Sequence, residues 1–180
     1  MGKSLKKRIY TSSILFFLLF LMYLNNYILG YLIIIFGTYA ILEFLKINQI
    51  INKKGNIKRF FTNVLFVTYI FLFCMIFFIY SNYLHLKIII FTILLMCTLS
   101  DVGGYIFGKF FGGPKLIKIS PNKTISGALG SLIFTSLFAL LFFYYLTNNL
   151  NLKILLVGIL TSVGCQLGDL FFSYLKRKSK

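Results

Sequence analysis

SDVGGYIFGKFFGGPKLIKISPNKTISGALGS, residues 100–131, is the polar interruption around which an otherwise greasy chain is arranged. It holds Asp101, one of only three carboxylates in the protein, and four of the nineteen basic residues. Both prolines, Pro114 and Pro121, lie in it, with a run of glycines that includes Gly104, Gly108 and Gly112 at four-residue spacing. Fixed cations on a glycine-rich loop have the composition of a site for a phosphorylated ligand. The flanks decide the fold class. Of the 180 residues 59% are hydrophobic and 19% aromatic. On both sides of the loop run apolar segments of roughly the 20 residues that a helix needs to cross a bilayer. These segments do not alternate as barrel strands would, and in hydrocarbon a helix satisfies its own backbone. The expectation is an all-α polytopic membrane bundle, a single integral membrane domain over residues 1–180.

Six spans are predicted: about Tyr10–Leu24, Tyr27–Leu45, Phe60–Tyr80, Leu86–Leu99, Ala128–Leu146 and Lys153–Phe172. Asn25 and Asn26 break the first from the second, and the first and fourth are short enough for partial or tilted insertion. The basic start, Met1 to Arg8, precedes an apolar run, but no small-residue cleavage site follows, so a retained span is expected. Basic residues then orient the bundle. Seventeen of the nineteen fall before the first span, between the second and third, in the organising loop and after the sixth; only Lys87 and Lys153 lie on the alternate loops. Both termini and the loop are therefore expected to face the cytoplasm, in the inner membrane of a bacterium. The net charge of +16 accordingly faces anionic headgroups of the bilayer; no basic soluble domain exists to bind nucleic acid. Cys74, Cys97 and Cys165 stand singly in apolar runs, without the pairing that zinc or a disulfide framework needs.

The candidate site residues each carry two readings. Asp101 suits either an N-cap for a helix starting at Val102 or a ligand for Mg²⁺. Gly104, Gly108 and Gly112 would line one helix face, favouring close packing over ligand approach, and such faces also permit a homodimer. Lys115, Lys118 and Lys123 suit membrane anchoring. Lys123 stands apart, because Ser120, Pro121, Asn122 and Thr124 place hydroxyls and an ammonium on a proline-set turn. Gly127 follows, where a helix N-terminus would aim N–H groups at an anion. On the sixth span Ser162, Gln166, Asp169, Ser173 and Lys176 form one stripe at 100° per residue. Asp169 lies seven residues inward of Lys176, about 10 Å along a helix. A carboxylate at that depth is unfavourable unless paired, protonated or bound to a cation, so a functional role is expected. Glu43, on the second span, either pairs with a loop lysine or reaches water.

Together these residues resemble the phosphatidate cytidylyltransferase family (CDP-diacylglycerol synthases). The likeness rests on Ser100–Asp101 with Gly103 to Tyr105, Gly108 and Gly112, then on Ile119 to Thr124 and Gly127. The sixth span adds Gln166, Gly168–Asp169–Leu170, Ser173 and Lys176–Arg177, similar to the opening of the family signature, S-x-x-K-R. Glu43 stands where the family tends to carry an acid. Two departures are visible. Family members commonly have Trp-Glu after the Lys-Thr, where this chain has Ile125–Ser126. The signature also continues through K-D, G-H-G-G and D-R, which are absent before Lys180. The expectation is a fragment, a frameshifted product, or a subunit completed by another polypeptide.

The resemblance implies transfer of CMP from CTP to phosphatidic acid with Mg²⁺ as cofactor. Asp169 would be the metal ligand and Asp101 a supporting acid. Lys123, with Ser120, Pro121, Asn122, Thr124 and Gly127, would hold phosphates, while Ser173, Lys176 and Arg177 would sit at the cytoplasmic mouth. Three other readings stay open: a non-catalytic membrane subunit of the same fold, a CTP-dependent polyprenol or phytol kinase-like enzyme, and a small transporter that uses the polar stripe.

Overall fold

An apolar segment in lipid can satisfy its backbone only along itself, and this chain does so in six helices. The computed structural model describes residues 3–53, 55–117, 120–149 and 151–179, with backbone alone at 3–9, 11, 12 and 120–122. The order is α1 (Lys3–Leu24), α2 (Asn26–Ile51), α3 (Asn56–Ser81), α4 (Leu84–Phe111), β1 (Lys115–Ile117), β2 (Ser120–Thr124), α5 (Ile125–Thr147) and α6 (Leu152–Lys178). Helices α2 to α6 are each long and apolar enough to cross a membrane, whereas the apolar part of α1 is the shorter Ser13–Leu24. The all-α membrane bundle is therefore as expected, apart from one small hairpin.

Local chemistry sets the ends. The Asn25 side chain accepts from the Tyr27 N–H at 2.8 Å, so the predicted break is an N-cap for α2. Asn151 does the same for α6, accepting from Lys153 at 3.0 Å. The fourth helix departs from expectation. It is 28 residues long and continues through Asp101 to Phe111, so Asp101 is a mid-helix residue and not an N-cap. The helix tolerates the Gly103–Gly104 pair because another backbone packs directly against it. Only after Phe111 does the chain turn, at Gly112 (φ +60°) and Gly113 (φ +104°), conformations that glycine adopts without strain. Gly112 thus serves a turn and shares no helix face with Gly104 and Gly108.

The chain divides into two compact units, residues 1–91 and 92–180. In the first, the rings of Phe44 on α2 and Phe66 on α3 stack with centroids 3.8 Å apart. Buried Asn48 ties the same two helices together, donating to Thr62 Oγ1 at 2.6 Å and Asn63 Oδ1 at 2.5 Å while accepting from Asn52 at 2.6 Å. Interhelical amide bonds of this kind hold helices together where no hydrophobic drive exists between them.

The second unit comprises the C-terminal part of α4, the hairpin, α5 and α6. Glycines bring α4 and α5 to backbone contact. A Cβ at Gly103 would stand 2.8 Å from the Gly130 carbonyl, one at Gly127 would stand 2.7 Å from the Gly104 carbonyl, and one at Gly130 would overlap Phe107. The packing reading of Gly104 and Gly108 therefore holds. On the other side of α5, Gly158 of α6 meets Ser136 Cα, at 2.7 Å from where a Cβ would be.

Gly130→Val is expected to destabilise the protein by about 1–3 kcal/mol, the usual range for overpacking. Gly164→Ala, where nothing lies within 4 Å, should be neutral or slightly stabilising. Thermal unfolding in detergent compares the two.

Candidate active site

Backbone contact between α4 and α5 leaves the hairpin no room except folded back over the helix ends. Strands β1 and β2 pair antiparallel, with Lys115 opposite Thr124 and Ile117 opposite Ser120. The Ile125 N–H donates to the Pro114 carbonyl at 3.1 Å. Ser126 donates to the Gly112 carbonyl and lies 3.0 Å from Thr124 Oγ1. Thr124 Oγ1 in turn caps α5, accepting from Gly127 N–H at 3.1 Å. The segment expected to be a proline-set turn is strand β2 of a pinned hairpin, and it delivers Lys123 to a fixed place.

That place is the rim of a cavity of about 240 Å³ within the second unit. Asp101, Gly104 and Tyr105 reach it from α4, and Lys123 and Thr124 from the hairpin end. Gly127 and Ser131 line it from α5, and Gln166 and Asp169 from α6. Lys123 Nζ meets Asp169 Oδ2 at 2.5 Å, with the two side chains 28% and 57% exposed. The inward carboxylate is therefore paired, as its position demanded. Asp101 lines the same cavity, which brings both acids and the candidate cation together.

A polar clasp supports this arrangement. Ser100 Oγ and Ser162 Oγ lie 3.2 Å apart, both buried, linking α4 to α6. Ser131 donates to the Ser100 carbonyl at 2.7 Å, linking α5 to α4. Gln166 donates to the Ala128 carbonyl and to Ser162 Oγ, each at 3.2 Å, linking α6 to α5. Of the α6 stripe, Ser162 is in this clasp, Gln166 in both clasp and cavity, and Asp169 in the cavity. Ser173, Lys176 and Arg177 continue along α6 beyond the cavity lining.

The structure gives only backbone for Ser120, Pro121 and Asn122, as part of β2; Lys118, Ile119 and Lys180 lie outside the described residues. Gly127 is present at the cavity, but its N–H is taken by Thr124, so it contributes a close helix approach rather than a free donor. Ser131, absent from the sequence candidates, is embedded in an apolar run, and only its contact with α4 marks it. Ser126, standing where an acid was expected, is the tether of the α4–β1 turn.

The profile of the cytidylyltransferase family matches residues 2–180. The chain belongs to the cytidylyltransferase family. Curated relatives include proteins named phosphatidate cytidylyltransferase from Staphylococcus haemolyticus (strain JCSC1435) and Staphylococcus aureus (strain COL). Each is 45% identical over 85 residues, which is 46% of this chain and 33% of the relative. Another, from Staphylococcus epidermidis (strain ATCC 35984), is 42% identical over 94 residues, 51% of this chain and 36% of that protein. These matches span about a third of the length of the relatives. No solved structure matches the chain.

Among the described residues no group of three or more His, Cys, Asp or Glu side chains converges on one point, so no closed protein cage exists. Two carboxylates at one cavity suit Mg²⁺, which keeps water and substrate phosphates among its ligands and needs only one or two carboxylates from protein. The residues fit that ion.

Thr124→Ala is expected to lower stability by about 1 kcal/mol through loss of the α5 cap, and Thr124→Ser to restore it. Thermal unfolding of the two variants in detergent tests the hydroxyl's role.

Proposed function

We propose that this chain forms the phosphate-handling part of a phosphatidate cytidylyltransferase, which transfers CMP from CTP to phosphatidic acid and gives CDP-diacylglycerol and pyrophosphate. The observation that carries the reading is the meeting of Asp101, Asp169 and Lys123 at one cavity in a chain of this family. The printed names of the relatives support the substrates.

In this reaction an oxygen of the lipid phosphate attacks the α-phosphorus of CTP, a new P–O bond forms, and the bond to the β-phosphate breaks with pyrophosphate leaving. The attacking oxygen is already ionised near neutral pH, so no strong base is required. The barrier lies in bringing two anions together, which calls for preorganised positive charge. Asp169 and Asp101 would hold Mg²⁺, which would supply part of that charge. Lys123 supplies an ammonium from the pinned hairpin. Thr124 and the Ser120–Pro121–Asn122 backbone, which lies in strand β2 and not in the expected turn, set where that ammonium sits, and Gly127 lets α4 and α5 close beneath it. Ser173 with Lys176 and Arg177, further along α6, line the approach from the cytoplasmic face, where the excess of basic residues is placed. A cavity lined by residues of membrane helices and of a polar hairpin would admit both a lipid headgroup and a soluble nucleotide.

In membranes carrying the chain extended through the K-D, G-H-G-G and D-R continuation of the family signature, labelled CTP and phosphatidic acid are expected to yield labelled CDP-diacylglycerol. Asp169→Asn should reduce the rate at least about 100-fold, as loss of a central electrostatic group does. Transfer to a polyprenol or phytol instead of phosphatidic acid would replace the reading with a kinase-like one. No product from either acceptor, with the chain correctly inserted, would leave a non-catalytic role.

Single-cysteine labelling gives an independent check on orientation. Cysteines at positions 58, 115 and 178 should react with an impermeant reagent only from the cytoplasmic side, and one at position 153 only from the opposite side.

A further inference from the structure

We propose that Lys123 is an exchangeable counter-ion, which holds the Asp169 carboxylate while the cavity lacks a divalent cation and is released to a phosphate when the cation arrives. The inference rests on the reading of this cavity as a divalent-cation site and adds an order of events to it.

The geometry makes the two partners competitors. Lys123 Nζ sits 2.5 Å from Asp169 Oδ2, so a cation on either oxygen of this carboxylate would lie beside the ammonium. A divalent ion on the same carboxylate would face an ammonium only a few ångströms away, and two like charges at such range repel strongly in a partly desolvated site. The side chains named at the cavity carry two carboxylates, Asp101 and Asp169, against one ammonium. One cation of charge two therefore overcompensates them unless the ammonium leaves or a polyanion enters. The ammonium is able to leave: its side chain is 28% exposed, and a lysine stem has four rotatable bonds. The backbone beneath it is not, because Thr124, Ile125 and Ser126 are all pinned. Lys123 thus swings by side-chain rotation alone, from the carboxylate to whatever anion the cation brings.

Mn²⁺ is the probe, followed by electron paramagnetic resonance on the full chain in detergent, with Lys123 acylation by an amine-directed reagent read by mass spectrometry. In the unsubstituted chain Mn²⁺ alone should raise the acylation rate of Lys123 several-fold relative to Lys153, and CTP added with Mn²⁺ should suppress it again. Asp169→Asn should make Lys123 reactive without metal. Lys123→Met should tighten Mn²⁺ binding about tenfold, since the repelling charge is gone, and should weaken the effect of CTP on that binding. Unchanged Lys123 acylation on Mn²⁺ addition, unchanged Mn²⁺ affinity in Lys123→Met, or no Mn²⁺ binding in any form would each overturn the exchange. Failure of CMP transfer with the exchange intact would remove the enzymatic reading alone. Transfer with Lys123 still protected in bound Mn²⁺ would remove the exchange alone.

Discussion

Helices α4 and α5 approach until their backbones touch, and the rest of the second unit follows from that contact. In lipid, no hydrophobic drive distinguishes helix–helix from helix–lipid contact, so association depends on how closely backbones can pack and on polar bonds between them. Gly103 and Gly104 on one helix and Gly127 and Gly130 on the other remove the side chains that would hold the axes apart. The thirteen residues between Phe111 and Ile125 then connect two adjoining helix ends, a span too short to wander. They fold as a hairpin over those ends. Lys123 comes to the cavity because of a glycine contact that it does not itself touch.

The electrostatics of the unit differ from those of the chain. A net charge of +16 draws anions toward the bundle as a whole, yet the cavity gathers two of the three acids in the sequence beside one lysine. Such a site does not bind a bare polyanion well. It suits a polyanion that arrives with a divalent cation, because the acids take the cation and the surrounding positive charge takes the anion. Membership of the cytidylyltransferase family and this charge arrangement both support the proposed function.

The membrane bundle, the α2 start at Asn25–Asn26 and the importance of residues 100–131 were legible because they rest on composition and on cap chemistry, both local in sequence. Asp169 was legible for a different reason: a carboxylate seven residues inside an apolar helix has few permitted explanations. The continuation of α4 past Leu99 was not legible. Asp101, Gly103 and Gly104 weaken a helix in isolation, and only the α5 backbone packed against them reverses that preference. Gly112 looked like part of a helical face because spacing alone cannot separate a face from a turn that happens to fall in register. Gly127 kept its place at the cavity but lost its free N–H to Thr124, a local competition that the sequence Thr-Ile-Ser-Gly contains but that the proposed helix start at Gly127 obscured. Ser162 was legible as the inner end of the α6 stripe, whereas Ser131 carried no signal, since an isolated serine in an apolar helix usually bonds back to its own turn.

Ser100 and Ser162 explain why the acids and the lysine differ in freedom. Asp101 follows Ser100 directly, and Asp169 lies two turns from Ser162 on α6 with Gln166 between them. The Ser100–Ser162 contact and the Gln166 bonds to Ala128 and Ser162 fix the relative rotation and register of α4, α5 and α6. A one-residue slip of either outer helix would strand buried hydroxyls without partners, which is costly in a dry environment. The two carboxylates are therefore carried on a frame with a single setting, whereas the ammonium reaches them on a long stem from the hairpin rim. The acids are carried on packed helices, and the base hangs on a flexible stem. The division of labour comes from where each residue is mounted, on locked helices or on a flexible stem, and not from its charge alone.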